Sequence, residues 1–266
     1  MEFITNLIIK LPIYPHWLDF KNNGTGNNKL LMNLYGNVIE TGAGTDLFKN
    51  QALSLNKKIR TYTATDYNSW DEPFKKCKKA INKFGKITQI LYGEMRNLSK
   101  LDKICNALDL PFKNNSFDCY CSFDVLEHIN DPERFYIEAN RVLKMNGLCI
   151  TTMPFLYRDH GGIELDFQRF TKGGFIVIAK KTGFKIISIK ASSYFGTTIS
   201  MLINQYVIRK IMEKNIFVKI SLLLFSPFIF TLSNSLGYII DCVDHDDRFS
   251  PHYHVIMKKI KNIRTS

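Results

Sequence analysis

Short apolar runs alternate with helix-like segments along most of this 266-residue chain, beginning at Asn37. Each run has the length and composition of a buried strand. Because parallel strands need crossover connections, usually helical ones, the alternation predicts an α/β fold around a mostly parallel sheet. The predicted strands are Val38–Glu40, Arg60–Thr65, Lys103–Asn106, Phe117–Ser122, Leu148–Met153, Phe184–Ile189 and His254–Met257.

Two of the intervening helices have recognisable boundary residues. Asp131 suits an N-cap and Pro132 the first helical position, while Asn146 and Gly147 supply a turn before the fifth strand. Thr171 is predicted to cap a second helix that runs to about residue 181 and ends before a glycine. These signals fix the helices on either side of the fifth strand.

The composition is that of a globular protein: 45% of the residues are hydrophobic and 23% are charged, which excludes a disordered chain or a multi-span membrane protein. Lys and Arg exceed Asp and Glu by 36 to 24, for a net charge of +12. That charge either reflects a general abundance of Lys in the chain or serves an anionic substrate, anionic lipid headgroups or nucleic acid.

Cysteine usage predicts buried free thiols and a reducing compartment. Cys119, Cys121 and Cys149 lie inside predicted strands, and no pair of CxxC motifs is present. The short apolar stretch Leu7–Ile9 follows an acidic residue and does not resemble a secretory signal. We therefore expect a cytoplasmic protein.

The chain is predicted to divide into a lead-in (residues 1–36), a core (37–198), a hydrophobic helical insertion (199–243) and the last strand with a basic tail (244–266). The lead-in contains an Asn/Gly-rich patch, Asn22–Asn28, that favours a flexible loop. No charged residue occurs from Ile220 to Ile240, but Pro227 interrupts the apolar run. A single span there would place the flanking strands on opposite sides of a bilayer, so a lid or an element on the membrane surface are the alternatives.

The stretch V-I-E-T-G-A-G-T-D, Val38–Asp46, predicts a strand that runs into a glycine loop. Gly42 and Gly44 lack Cβ atoms, so a cofactor can lie close to the backbone there, and Glu40 can place a carboxylate near a positively charged ligand. A tight turn without ligand and a nicotinamide site are the alternatives for this loop alone. Asp66, at the end of the second strand, suits ribose hydroxyls, although it could also simply open the following turn.

Three further strings follow in order: C-N-A-L-D-L-P-F (Cys105–Phe112), S-F-D-C-Y-C-S-F-D-V-L-E-H-I (Ser116–Ile129) and R-V-L-K-M-N-G-L-C-I-T-T-M-P (Arg141–Pro154). Together with the glycine loop they closely resemble the class I S-adenosylmethionine-dependent methyltransferase family, type 11, over roughly residues 37–189. The resemblance implies a Rossmann-like three-layer sandwich whose seven-stranded sheet ends in an antiparallel strand, and S-adenosyl-L-methionine as cofactor. The cofactor residues that it implies are Glu40, Gly42, Ala43, Gly44, Asp46, Asp66, Asn106, Ala107 and Ser122.

Two positions depart from the family pattern. Asp46 replaces the third glycine, where it can pair with the methionine amino group or cap the next helix, and Asn106 replaces an adenine-contacting Asp. An Asn carbonyl oxygen can still face the adenine amino group, so we expect retuned binding. A dehydrogenase would need a glycine at Leu47, which makes that alternative weaker.

The acceptor side is predicted around two histidines. His128 follows the fourth strand, and His160 lies in P-F-L-Y-R-D-H-G-G-I-E-L-D-F-Q-R-F-T, which resembles the H-G-x-x-x-D-x-x-R-[FY]-T signature of a subset of these methyltransferases. Histidine suits the removal of a proton from a hydroxyl. We expect His160, with His128 second, to orient the acceptor or serve as base, although a structural hydrogen bond would explain either. Asp166 and Arg169 either bind the substrate or form a local ion pair.

No metal site is predicted. His245, His252 and His254 cluster in the sequence with four aspartates, but the spacing matches no established motif and favours a polar loop. The predicted function is methyl transfer to a small-molecule, glycan or lipid-linked acceptor, with possible contact to the inner membrane face. The alternatives are an RNA or protein methyltransferase, for which no RNA-binding module is visible, and a catalytically silent cofactor-binding subunit.

Overall fold

A computed structural model describes residues 10–44, 47–67, 101–160, 165–212 and 216–263 of the chain. Its strands are β1 (Gly36–Thr41), β2 (Ile59–Asp66), β3 (Lys103–Ile104), β4 (Phe117–Phe123), β5 (Leu143–Pro154), β6 (Phe184–Ala191) and β7 (His252–Lys259). They form one sheet in the order β3-β2-β1-β4-β5-β7-β6. β7 runs antiparallel to both of its neighbours and the other pairs are parallel. The predicted α/β sheet with an antiparallel last strand is confirmed.

The helices of the described chain are α1 (Trp17–Leu31), α2 (Leu47–Leu55), α3 (Pro132–Val142), α4 (Lys172–Lys181), α5 (Phe195–Met212) and α6 (Ile216–Val243). Both predicted caps are present. The Asp131 side chain accepts a hydrogen bond of 2.9 Å from the Arg134 N–H, and the Thr171 hydroxyl accepts one of 3.1 Å from the Gly174 N–H. These bonds satisfy donors that the first helical turn leaves free.

Two local predictions differ from the structure. The Asn/Gly-rich patch lies within α1 instead of forming a loop, because Asn22 donates a 2.8 Å hydrogen bond to Thr197 and so helps to hold the helix against α5. β5 begins directly after α3, so Asn146 and Gly147 fall within the strand bounds. The backbone φ of Asn146 is +67°, and the register with β4 shifts in this region, so a local irregularity takes the place of the predicted turn.

Buried side chains cover both faces of the central strand β4. Tyr120 packs edge to face with Phe135 of α3 on one side, at a ring distance of 5.6 Å. Cys119 and Cys121 point into the core on the other side, and with Cys149 they are buried free thiols as predicted. The sheet is therefore covered on both faces, as a parallel α/β sheet requires.

α5 and α6 form an antiparallel hairpin that packs against the lead-in. The two helices meet closely where a Cβ atom on Gly196 would lie 2.0 Å from the carbonyl oxygen of Gly237. Farther along, Ser200 donates a 2.7 Å hydrogen bond to Asn234, whose amide in turn donates to the Pro12 carbonyl at 2.6 Å. The described part of the lead-in and the hairpin therefore pack together.

Candidate functional site

The predicted cofactor residues that the structure describes lie at or just beyond the carboxyl ends of four adjacent strands, β3, β2, β1 and β4. The strand order reverses between β1 and β4, and open α/β sheets bind ligands in the crevice at that point. Sequence and topology thus bring these residues to one edge of the sheet. Asp46 lies outside the described residues.

The glycine loop leaves β1 with left-handed backbone. Gly42 has φ +71°, and a Cβ atom there would lie 2.2 Å from a methyl carbon of Val125. Gly44 has φ +57°, and a Cβ atom there would lie 4.0 Å from Asp66 Oδ2, its nearest neighbour among the described residues. A side chain is therefore excluded at Gly42, whereas at Gly44 the backbone leaves room for a ligand to approach.

Asp66 is held at the end of β2 by backbone donors. Its Oδ2 accepts a 2.6 Å hydrogen bond from the Gly44 N–H, and its Oδ1 accepts one of 2.6 Å from the Tyr67 N–H. The first bond ties the carboxylate directly to the glycine loop. A carboxylate has about four lone-pair sites, so a group of this kind can accept hydrogen bonds from ribose hydroxyls as well as from backbone N–H groups.

Glu40 is buried beneath this loop. Its carboxylate accepts a 2.9 Å hydrogen bond from the Tyr62 hydroxyl, and burial raises its pKa to about 8. A buried acid of this kind becomes ionised more readily when a positive charge lies nearby. Ser122 contributes to the frame of the site, because its hydroxyl donates a 3.0 Å hydrogen bond to the Thr41 carbonyl.

Asn106 and Ala107 follow β3 in a tight turn. The Asn106 side-chain oxygen accepts a 2.9 Å hydrogen bond from the Leu108 N–H, while the residue itself remains exposed and Ala107 is buried. The Cys105 N–H donates to the Asp66 carbonyl at 2.8 Å, which places this turn beside the end of β2. The position suits the edge of a bound adenine.

The two predicted acceptor-side histidines come together. His128 lies in a 3₁₀ turn after β4, His160 follows β5, and their rings pack edge to face with centroids 4.8 Å apart. Nδ1 of His128 contacts the carbonyl oxygen of Leu165. Since a carbonyl only accepts, Nδ1 must carry the proton, and Nε2 of a neutral His128 can then act as a ligand or a base.

Asp166 and Arg169 form a local ion pair, one of the two alternatives for these residues, while binding of a substrate by Arg169 stays a prediction. Arg169 Nη2 lies 2.7 Å from Asp166 Oδ2, and Nη1 contacts the other oxygen. Asp166 also accepts a 2.8 Å hydrogen bond from the His160 N–H. Burial tends to raise the pKa of Asp166, but these hydrogen bonds and charges together lower it to about 2. The pair therefore fixes the backbone of His160.

The sequence reasoning did not single out Glu127. Its carboxylate is fully buried, and its Oε1 lies 3.5 Å from His160 Nε2 and 3.8 Å from His128 Nε2. The neighbouring Glu127 carboxylate is the main cause of a raised pKa at His160. The E-H pair at positions 127 and 128, directly after a buried strand, was the available signal for this residue.

The other histidines are dispersed. His245 packs edge to face with Tyr194, His252 contacts Tyr157, and His254 is buried in β7, where burial lowers its pKa to about 4. Asp246 accepts a hydrogen bond from the Arg248 N–H in the loop before β7. This geometry agrees with the predicted polar loop.

Comparison with known proteins agrees with the geometry of the sheet edge. A family model described as a methyltransferase domain matches residues 39–151. This range contains the glycine loop, Asp66, Asn106 and His128, and it ends before His160.

Two curated relatives and one solved structure show how far the similarity extends. An uncharacterized protein of Methanocaldococcus jannaschii is 36% identical over 115 residues, which is 42% of this chain and 49% of that protein. A chloroplastic 2-methyl-6-phytyl-1,4-hydroquinone methyltransferase of Oryza sativa subsp. japonica is 33% identical over 90 residues, 32% of this chain and 25% of the relative. The matches thus span about half of one relative and a quarter of the other.

The solved structure is an S-adenosylmethionine-dependent methyltransferase of Mesorhizobium loti. It shares 11% sequence identity with this chain, with a TM-score of 0.51 over 91% of this chain and 99% of that one. At such identity the match supports the fold. The family model over residues 39–151 agrees with the resemblance found in the sequence to class I S-adenosylmethionine-dependent methyltransferases.

Proposed function

We propose that this protein transfers a methyl group from S-adenosyl-L-methionine to a small-molecule, glycan or lipid-linked acceptor. The observation that carries the proposal is the Gly44 N–H bonded to the Asp66 carboxylate at the reversal point of the sheet. This contact joins the glycine loop to the acid that follows β2 in one crevice. The matched methyltransferase domain contains both residues.

The residues of the crevice fit the proposed cofactor. Asp66 would accept hydrogen bonds from the ribose hydroxyls, Asn106 and Ala107 would line the adenine, and the glycine loop would lie beneath the methionine part. Glu40 is buried at the end of β1 and would offset positive charge nearby. When bound, the cofactor supplies an electrophilic methyl group on a sulfonium.

The acceptor would enter beside the pair of histidines. His160 is partly accessible, with 28% of its side chain exposed, so it can hydrogen-bond a hydroxyl that reaches the crevice. In its neutral form it can take the hydroxyl proton, and the adjacent Glu127 carboxylate stabilises the charged ring that results. Asp166 holds the backbone of His160 in place. In this proposal Asp166 orients His160, and His160 accepts the proton.

The hairpin favours an acceptor at a lipid surface. An exposed apolar stripe runs along one face of α6, with 82% of Phe217, 67% of Leu224 and 74% of Phe228 exposed, whereas Ser233 and Asn234 on the opposite face are buried. This is the reverse of the amphipathic pattern of a helix on the surface of a soluble domain. The further stripe residues are Ile220, Leu232, Leu236, Ile239 and Val243.

We infer that this stripe binds an anionic membrane surface. α6 has the length and hydropathy of a span, with 11% of its most apolar window buried, yet β6 and β7 on either side of the hairpin pair in one sheet. A helix lying in the membrane interface satisfies both facts. The net charge of +12 and the basic pair Arg209–Lys210 at the end of α5 favour anionic headgroups. We therefore infer a cytoplasmic protein that binds the inner membrane face.

Ligand titration and turnover test the proposal. S-adenosylmethionine and S-adenosylhomocysteine should bind the purified protein, and NADH should not. With lipid extracts as acceptors and a cofactor labelled at the methyl group, label should enter an organic-soluble product. His160→Ala should keep cofactor affinity within about twofold while turnover falls by roughly 100-fold or more.

Other outcomes would support the alternatives. Label in RNA, with RNA binding that weakens steeply as salt rises, would favour a nucleic acid methyltransferase. Cofactor binding without turnover on lipid, glycan, RNA or protein fractions would favour a silent subunit. Absence of cofactor binding at millimolar concentration would contradict the proposal entirely.

A further inference from the structure

Glu127, His128 and His160 bring three potential metal-ligand atoms together at the carboxyl edge between β4 and β5. All three atoms lie within 4.8 Å of one another. Ligands about 2.1 Å from a shared ion lie roughly 3.4 Å apart in tetrahedral geometry. A movement on the order of 1 Å per side chain would therefore complete the coordination.

Both imidazoles are oriented as metal ligands usually are. Nδ1 of His128 contacts the Leu165 carbonyl, and Nδ1 of His160 lies 3.2 Å from Asp166 Oδ2. In each ring the other nitrogen, Nε2, faces the Glu127 carboxylate. Metal-binding histidines are commonly held by a carbonyl or carboxylate behind the ring, as His128 is, whereas Nδ1 of His160 is near Asp166 without a hydrogen bond among the described residues.

The burial of the Glu127 carboxylate is a second, independent observation that points to a bound cation. The carboxylate has no exposed surface, and neither oxygen has a hydrogen-bond partner among the described residues. A buried carboxylate without donors is costly unless a positive charge compensates it. A cation between the carboxylate and the two Nε2 atoms would supply that charge.

We propose that Glu127, His128 and His160 bind one divalent transition-metal ion, such as Zn²⁺, Mn²⁺ or Co²⁺. Two imidazoles and one carboxylate suit these ions better than Mg²⁺ or Ca²⁺, which prefer oxygen ligands. Three protein ligands leave coordination positions open. An acceptor hydroxyl oxygen would fill such a position, and His160 would then act as a metal ligand and not as the base. This assignment rests on the proposed methyl transfer, whereas binding of the ion does not.

Metal titration of the full-length protein tests the inference. After treatment with a chelator, Co²⁺ should produce the visible absorption bands of a bound ion, at one ion per chain. Calorimetry should show Zn²⁺ binding in competition with Co²⁺. Glu127→Gln and His128→Asn should each weaken binding by at least tenfold, and Asp166→Asn by about 10- to 100-fold.

Glu133→Gln provides a matched control, since Glu133 is an exposed glutamate on α3 that pairs with Lys181 at 3.2 Å. This variant should bind metal like the parent protein. Circular dichroism and cofactor affinity establish that each variant is folded. Absence of Co²⁺ bands in the parent protein, or equal metal affinity of Glu127→Gln and Glu133→Gln, would overturn the inference and leave an ion pair between Glu127 and protonated His160.

Titration of the metal-free protein with S-adenosylmethionine separates the two proposals. Cofactor binding without metal binding would refute only the metal site. Metal binding without cofactor binding would refute the proposed methyl transfer and retain the site.

Discussion

At the scale of single residues, Asp66 is the side chain on which cofactor affinity should depend most. Asp66→Asn removes the charge and turns one acceptor into a donor facing a backbone N–H. Since a hydrogen bond to a charged group contributes about 1.5–3 kcal/mol, affinity for S-adenosylmethionine should fall by roughly 10- to 100-fold. Calorimetric titration measures this change.

Asp118 is the matched control for that substitution. It also accepts a backbone hydrogen bond, of 2.8 Å, from the Asn37 N–H. However, it lies at the amino end of β4, far from the carboxyl ends of the strands where the candidate site lies. Asp118→Asn should lower stability and leave cofactor affinity within about twofold. Equal losses of affinity in the two variants would indicate general destabilisation in place of a binding role for Asp66.

Glu40 should make stability depend on pH. Burial raises its pKa to about 8, whereas an unfolded glutamate titrates near pH ~4.3. Between these values the folded protein retains a proton that the unfolded chain has released, so this contribution to the free energy of unfolding falls as pH rises and levels off above about 8. Glu40→Gln removes this pH dependence, which amounts to a loss on the order of 5 kcal/mol in the free energy of unfolding across the full range.

Urea denaturation of both proteins across about pH 5 to 9 measures the difference. The stability of Glu40→Gln relative to the parent protein should increase with pH over this range. Parallel stability curves would show that Glu40 titrates as an ordinary carboxylate in the folded protein.

The sequence constrains the positions of the expected cofactor residues more than those of the expected acceptor residues, for a physical reason. Gly42, Gly44 and Asp66 follow strand ends, and the carboxyl ends of parallel strands share one edge. The role of Glu127 depends on where a 3₁₀ turn and the segment after β5 meet. Gln168 makes that contact by donating to the Leu126 carbonyl at 3.0 Å, and no local sequence pattern encodes a tertiary contact of this kind.

At the scale of elements, the hairpin depends on the close approach of α5 and α6 at two glycines. A Cβ atom on Gly237 would lie 2.4 Å from the Gly196 carbonyl oxygen, which is backbone and cannot rotate away. Gly237→Ala should therefore lower the free energy of unfolding by about 1–3 kcal/mol, although alanine is the better helix former. Thermal or chemical denaturation measures the change.

Gly174→Ala in α4 is the comparison. The atoms nearest to its Cβ position lie at ordinary contact distances of 3.6–3.7 Å, so helix propensity should prevail. This substitution should raise stability by up to about 1 kcal/mol. A stabilising effect of Gly237→Ala as well would mean that the helices can separate there at little cost.

Element boundaries were predictable where capping residues mark them and less so elsewhere. Asp131 and Thr171 act locally, so their helices begin as expected. α1 is helical through its Asn/Gly-rich patch, where Asn22 donates a hydrogen bond to Thr197 of α5. These two residues are 175 positions apart in the chain. Propensity alone cannot reveal a helix that depends on such distant contacts.

At the scale of the whole molecule, the composition alone does not decide whether the hydrophobic segment is a lid or an element on the membrane surface. The helical repeat of α6 contains both a polar and an apolar face, and only the packing shows which face is outside. Asn234 is turned inward because it donates hydrogen bonds to the carbonyls of Pro12 and Tyr14 in the lead-in. The apolar face is left outside as a consequence.

The exposed stripe of α6 should bind the protein to membranes. The three most exposed side chains in its first half are Phe217, Leu224 and Phe228, and burial of each in lipid contributes roughly 1.5–3 kcal/mol. The intact protein should co-float with vesicles that contain anionic lipids, and the triple substitution of these residues by Gln should abolish flotation. Ile176→Gln with Val177→Gln, exposed apolar positions on α4, should have no effect.

Sedimentation distinguishes the membrane from a second copy of the chain. A stripe that served a dimer would give a dimeric parent protein, a monomeric triple variant and no flotation of either, and that result would contradict the membrane assignment. A stripe that serves lipid leaves both proteins at the same oligomeric state in detergent, while only the parent floats. Since higher salt screens charges but leaves apolar burial intact, flotation should weaken with salt without being lost.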